Sequence, residues 1–141
     1  MAEYIANGRQ TVAAGENIIF PSTVIACTSG YVVHREGSGI FTLRGLTNQR
    51  AARYRITIGT NIALPTGGTT GSVSTAISVN GEAIPESYMY ETLGTAAAIH
   101  TMGRTIMVDV PRGCCVQLAV RNTNDQAIDY LNTVLIIERV A

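Results

Sequence analysis

The stretch "DVPRGCCVQLAVRN", residues 109–122, decides the fold. A Pro-Arg-Gly turn leads into a run that begins with two adjacent cysteines. Side chains next to each other on a strand point to opposite faces. Cys114 then shares a face with Val116, Leu118 and Val120, and Cys115 shares the other with Gln117, Ala119 and Arg121. Neighbours that face apart are poor partners for each other, either in a disulfide or on one metal. Cys27, the only other cysteine, offers no C-x-x-C spacing. Cys114 is therefore expected to be a small buried hydrophobe, the usual role of a free cysteine, and the segment reads as a strand.

Working outward, short runs rich in Val, Ile and Thr alternate with clusters of Gly, Asn, Pro and Ser, the pattern of an all-β chain. Strands are expected at "NIIF" (17–20), "VIACT" (24–28), "YVVHR" (31–35), "IFTLR" (40–44), "RYRITIG" (53–59) and "VSTAISVN" (73–80). Others follow at "EAIPESYMYE" (82–91), "TIMVDV" (105–110), "CCVQLAV" (114–120) and "TVLIIERV" (133–140). Asn80-Gly81 predicts a hairpin, because both residues accept the positive φ of a type I′ turn. "TLGTAAAIHTMG" (92–103) fits one helical turn or a strand equally well. Roughly eight to ten short strands in one domain predict a jelly-roll sandwich, with an immunoglobulin-like domain as the alternative. The latter lacks its Trp here. The domain is placed at residues 16–141, with residues 1–15 as an N-terminal arm and first strand region.

The 141 residues are 46% hydrophobic and 14% charged, with a formal net charge of zero. So thin a charged coat is expected of a chain that hides surface in an assembly. The zero balance argues against general binding to nucleic acid or an anionic membrane. All ten basic residues are arginines, whose planar, weakly hydrated heads suit interfaces better than lysine. The N-terminus does not read as a secretory signal and no apolar run is long enough to span a bilayer. Synthesis in a cytoplasm is expected.

No reaction chemistry is nominated. His34 and His100 stand in no metal-binding spacing, and are expected at a polar strand end and at a loop or interface position. Asp109, Asp125 and Asp129 are the only aspartates. "NTNDQAID" (122–129) lacks the central Gly and terminal Glu of a calcium loop and reads as a polar surface loop. "PTGGTTGS" (65–72) lacks the Gly-Lys-Ser/Thr ending of a phosphate loop. No catalytic residue, cofactor or metal ligand is assigned.

Two features stand out. Val134, Leu135, Ile136 and Ile137 form a continuous apolar run, so both faces of the last strand seek burial. A two-layer sandwich covers one of them; a second copy of the chain is expected to cover the other. In "RAARYRITIG" (50–59), Arg53 and Arg55 alternate with Tyr54 and Ile56. The face that carries Arg53 and Arg55 reads as a solvated outer face or as a contact through acidic groups of another protomer or partner; on the second reading Arg53, Arg55 and, near the N-terminus, Arg9 are the candidate contacts.

The residues then show a resemblance. "TVAAGENIIF" and "GYVVHREGSGIFTLRG", with Phe20, Gly39, Phe41, Leu43 and Gly45, resemble the opening of the C1q/TNF-like jelly-roll superfamily. "AISVNGEAIPES" resembles its Asn-Gly hairpin, "DVPRGCCVQLAVRN" its penultimate strand and "TVLIIERVA" its closing strand. The resemblance implies a homotrimer with one sheet of each protomer around the threefold axis. Without a collagen-like stalk, the chain is more similar to trimeric head decoration proteins of tailed phages than to spore-surface glycoproteins. That implies a non-enzymatic virion protein that binds the major capsid protein, with "AEYIANGRQ" (2–10) as an arm available for docking. A receptor- or glycan-binding trimer, such as a fibre tip, is the alternative function.

Overall fold

The computed structural model describes residues 1–113 and 115–141; Cys114, and the expectation that it is buried, lie outside them. The described residues form eleven strands: β1 (Ala2–Val12), β2 (Ser22–Ile25), β3 (Val32–His34), β4 (Phe41–Arg44), β5 (Ala51–Ala63), β6 (Gly71–Val79), β7 (Glu82–Ala83), β8 (Met89–Leu93), β9 (Ile99–Pro111), β10 (Cys115–Asn122) and β11 (Ile128–Arg139). One sheet runs β2-β1-β11-β5-β9. The other runs β3-β4-β10-β6-β7, with β8 also pairing β6. Among the described residues every strand pairing is antiparallel.

Alternation builds the core. From β5, Ala52, Tyr54, Ile56, Ile58 and Ile62 point inward; from β10, Val116, Leu118 and Val120 meet them from the facing sheet. Phe20, Phe41, Leu43 and Tyr130 complete a continuous interior with no exposed surface of their own. Tyr130 keeps its phenol satisfied through the Thr75 hydroxyl at 2.8 Å.

The N-terminal segment corrects the expectation of a docking arm. Residues 2–12 are β1, held between β2 and β11, and Ala2, Tyr4 and Ala6 are buried. The alternation of Ala2, Tyr4 and Ala6 against Glu3 and Ile5 is an ordinary strand pattern. The register shifts between Ala6 and Arg9 on β1, and between Leu131 and Val134 on β11. Gly8 (φ 86°) and Asn132 (φ 50°) stand in these shifts, and the Gly8 amide donates to Asn132 Oδ1 at 3.3 Å.

Two further expectations change. Residues 17–20 form no strand of their own; they are extended chain pinned by Ile18 N–H to Val120 O and Phe20 N–H to Ser38 O. The run at 82–91 breaks into β7, a single 3-10 turn at Pro85–Ser87, and β8. Pro85 lacks a ladder donor, and the buried Ser87 hydroxyl accepts from Ile77 N–H and donates to Ile84 O. The ambiguous 92–103 segment closes β8, turns near Thr95–Ala98, and opens β9. Asn80 (φ 52°) and Gly81 (φ 86°) make the expected turn between β6 and β7.

Candidate functional site

The outer face of the β2-β1-β11-β5-β9 sheet is where the last strand's second apolar face emerges. Leu135 and Ile137 are fully buried inside the protomer, so these two are core and not interface residues. Val134 and Ile136 point the other way and are half-buried. Register lines up Ile5, Val134, Gly59 and Gly103 across four strands, and Glu3, Ile136, Thr57 and Thr105 in the next row. Both glycines keep this surface flat. A Cβ on Gly103 would come 3.1 Å from Ile58 O, and one on Gly59 would meet Val134 Cγ1 at 3.4 Å.

All three candidate partner arginines lie on this same face, and each is already paired within the protomer. Arg9 bonds Asp129, which also accepts from the Thr11 hydroxyl. Arg53 makes a two-point bond to Asp109 across β5 and β9, at 2.8 and 3.1 Å. Arg55 donates to Glu138 on β11 at 2.6 Å. The acidic groups expected from a partner come from neighbouring strands of the same chain: antiparallel register sets Arg53 directly opposite Asp109 and Arg55 opposite Glu138, and Asp129 diagonally from Arg9. The bond from Arg53 holds the Asp109 carboxyl below its ordinary range. The face thus carries Ile5, Val134 and Ile136 at its centre and three paired arginines around them, with Glu3 beside Ile136 in no ion pair among the described residues.

The two histidines are separated. His34 stacks on Phe41 with ring centroids 4.0 Å apart, and its nitrogens lie 3.2 Å from Ile40 O and from Phe20 O. His100, on β9, has Nδ1 3.6 Å from a Glu91 carboxylate oxygen. The 122–129 segment is tied by amides: buried Asn122 donates to Val12 O and Gln126 O, and Asn124 is bracketed by Ser74. Gln126 in turn holds Thr69 in the glycine-rich 65–72 loop. Among the described residues, no three His, Cys, Asp or Glu side chains gather into a cluster able to hold a metal.

Cys27 sits in a tight loop before β3. Burial pushes its thiol up, but the Ser29 hydroxyl and the backbone amides of Val32, Ser29 and Tyr31 outweigh that and bring it down to about 7. Cys115 is exposed on the outer face of β10.

The opposite face of the sandwich holds what strand alternation alone did not single out. Over β10 and β6, a cavity of about 280 Å³ is lined by Gly15, Asn17, Ile40, Ser78, Gln117 and Arg121, with their neighbours. It exists because residues 15–18 lie beside β10, where Gly15 N–H donates to Asn122 O and Ile18 N–H to Val120 O. A contact between the N-terminal third and the penultimate strand leaves no local mark in sequence.

Over 99% of this chain and 96% of the other, the structure superposes on the globular domain of zebrafish complement 1qA protein with a TM-score of 0.64. The fold is a C1q-like jelly roll. At 6% identity the likeness concerns the fold alone. A family 35 carbohydrate binding module from Clostridium thermocellum matches at a TM-score of 0.35 and 17% identity, over 95% of this chain and 91% of that one. The CBM35 from Paenibacillus barcinonensis matches at 0.36 and 18%, over 95% and 97%. Nothing rests on these two weak superpositions. No protein-family model and no curated protein matches the sequence.

Proposed function

We propose that this chain is a non-enzymatic phage virion protein, a homotrimer that decorates and reinforces the assembled capsid after synthesis in the host cytoplasm. The observation that carries the trimer is the flat outer face of the β2-β1-β11-β5-β9 sheet. Ile5, Val134 and Ile136 stand there beside Gly59 and Gly103, with the surrounding guanidinium groups already neutralised. Drying such a face strands none of these three guanidinium groups, while Glu3, in the Ile136 row, is a carboxylate with no ion pair among the described residues. Closed threefold symmetry covers it in every protomer and leaves no sticky end. The C1q-like fold supports the same geometry.

Decoration then works by mass action. A trimer at a junction between capsomers touches several capsid subunits at once, and modest contacts add as avidity. Binding only the assembled lattice, it stabilises that state over free subunits. The test has two steps. Light scattering must give the mass of three chains in solution. Antibody to the chain is then applied to particles produced from the genome that encodes it. Label spread over the heads supports decoration. Label at the tail tip replaces it with receptor binding, and unlabelled particles sink both.

A further inference from the structure

The groove on the other face has a chemistry of its own. The cavity of about 280 Å³ continues into one of about 260 Å³, lined by Tyr88, Asn122, Thr123 and Asn124, and Gly15 and Arg121 line both. Arg121 is the one charged side chain among the described residues lining either cavity. Among the described residues no carboxylate lies within ion-pair distance of it. Its Nη1 donates to Gly81 O at 3.0 Å, which fixes the guanidinium over the sheet and leaves its other donors unspent. Gly15 leaves room for this, since a Cβ there would already touch Arg121 Nη2 at 3.6 Å.

The polar groups of the two cavities differ in how far they are committed. In the second, Asn122, Thr123 and Asn124 bond one another and Ser74, so they form a rigid wall. In the first, among the described residues, no hydrogen bond engages the side chains of Asn17, Ser78 or Gln117. Amides and hydroxyls that both donate and accept thus converge with an unspent guanidinium, beside the apolar surfaces of Ile40 and Ala119.

We propose that this groove binds an acidic saccharide, one sugar ring in the first cavity with its carboxylate on Arg121. A guanidinium meets a carboxylate through two parallel N–H bonds. The side chains of Asn17, Ser78 and Gln117 suit the donor-acceptor pairs of sugar hydroxyls, and Ile40 and Ala119 suit the C–H face of a pyranose. The volume sits just under the range of about 300–1,000 Å³ usual for small-molecule sites, which fits one ring. The second cavity and Tyr88 extend the path for a neighbouring residue of the polymer. The groove lies on the sheet opposite the proposed trimer face, so only its accessibility within a trimer rests on that reading; a folded monomer would bind equally.

The test uses the full chain with trigalacturonic acid, its methyl ester and sodium acetate as probes, followed by amide NMR and calorimetry. The acid should bind and shift the amides of residues 15–17, 78–81 and 117–121. The ester should bind at least about tenfold more weakly, as should Arg121→Gln towards the acid. Gln117→Ala, at an exposed position that does not threaten folding, should weaken binding by about threefold. Three results overturn the proposal: no binding of the acid by the folded chain, equal binding of acid and ester, or an Arg121→Gln variant that binds like the parent. Acetate binding as tightly as the trisaccharide overturns the saccharide in favour of a bare carboxylate site.

Discussion

Glutamate placed at two adjacent positions of β11 separates the core from the proposed interface. Leu135 has no exposed surface. Truncating a buried Leu costs roughly 2–5 kcal/mol, and a carboxylate without a partner in that space adds several more. Against the roughly 5–15 kcal/mol that holds a domain together, Leu135→Glu should leave the chain unfolded. Ile136 faces outward between Glu3 on β1 and Thr57 on β5. A carboxylate there meets water in the monomer and one like charge across the strand pair, a cost of about 1 kcal/mol or less. In a trimer the same change removes an Ile worth about 1.5–3 kcal/mol from each protomer, roughly 4–9 kcal/mol per trimer before any repulsion. That weakens association by about three decades or more. With 15.0 kDa per chain, light scattering at micromolar concentration should find the parent at three times that mass and Ile136→Glu at one. Circular dichroism should show Ile136→Glu folded and Leu135→Glu not. The reasoning fails if the parent is monomeric, or if Ile136→Glu stays trimeric, or if Leu135→Glu folds normally.

Other outcomes follow from single side chains. Burial pushes the Tyr130 phenol up to about 12 from an ordinary 10.0, despite its bond to Thr75. The unfolded chain therefore loses this proton first. The native state's advantage is intact below pH 10 and falls between about 10 and 12, by about 3 kcal/mol at most; Tyr130→Phe should show a shallower alkaline loss in denaturant titrations. Cys27, with its thiol near 7, should react with iodoacetamide at a rate that climbs as pH rises through that value. Ser29→Ala should move the climb to higher pH, and mass spectrometry of the labelled peptide reads both. Asn122→Ala strips donors from Val12 O and Gln126 O in the buried interior. It should cost about 3 kcal/mol or more and lower the melting temperature by roughly 10 °C; an unchanged melting curve would refute the role of this amide.

Most of the strand pattern was legible because inward and outward residues alternate, as at Arg53–Tyr54–Arg55–Ile56 and Val116–Gln117–Leu118–Ala119. What escaped reading was set by distant partners. β1 alternates at Ala2–Ala6, yet its polar "NGRQ" stretch belonged to the expected docking arm, and only β11, with its matching shift near Asn132, shows it as strand. Residues 17–20 are apolar enough for a strand but lie beside β10 without forming a ladder of their own. Alternation showed that Val134 and Ile136 oppose Leu135 and Ile137, while which pair was core depended on the facing sheet. The arginines carried no sign of their partners, because Asp109, Glu138 and Asp129 are close only through strand register.

That register also explains how a chain with zero net charge can carry two faces of opposite kinds. On the first sheet, antiparallel pairing sets Arg53 opposite Asp109 and Arg55 opposite Glu138, so charge cancels locally around a flat apolar centre. On the second, β10 pairs with β6 and Arg121 stands opposite Ala76, so no cross-strand carboxylate meets it. The glycines divide in the same way. Gly59 and Gly103 flatten the first face, while Gly15 and Gly81 leave room along the second for a guanidinium and whatever it holds. A face whose arginines are already paired suits permanent burial against like copies, since no guanidinium is stranded when it dries. A concave face with unspent donors suits a ligand that arrives and leaves with its own water. Because the two occupy opposite sides of one rigid sandwich, assembly through the first leaves the second free. Substitutions at Ile136 and Arg121 should accordingly act independently, their effects adding within about 0.5 kcal/mol in a double variant.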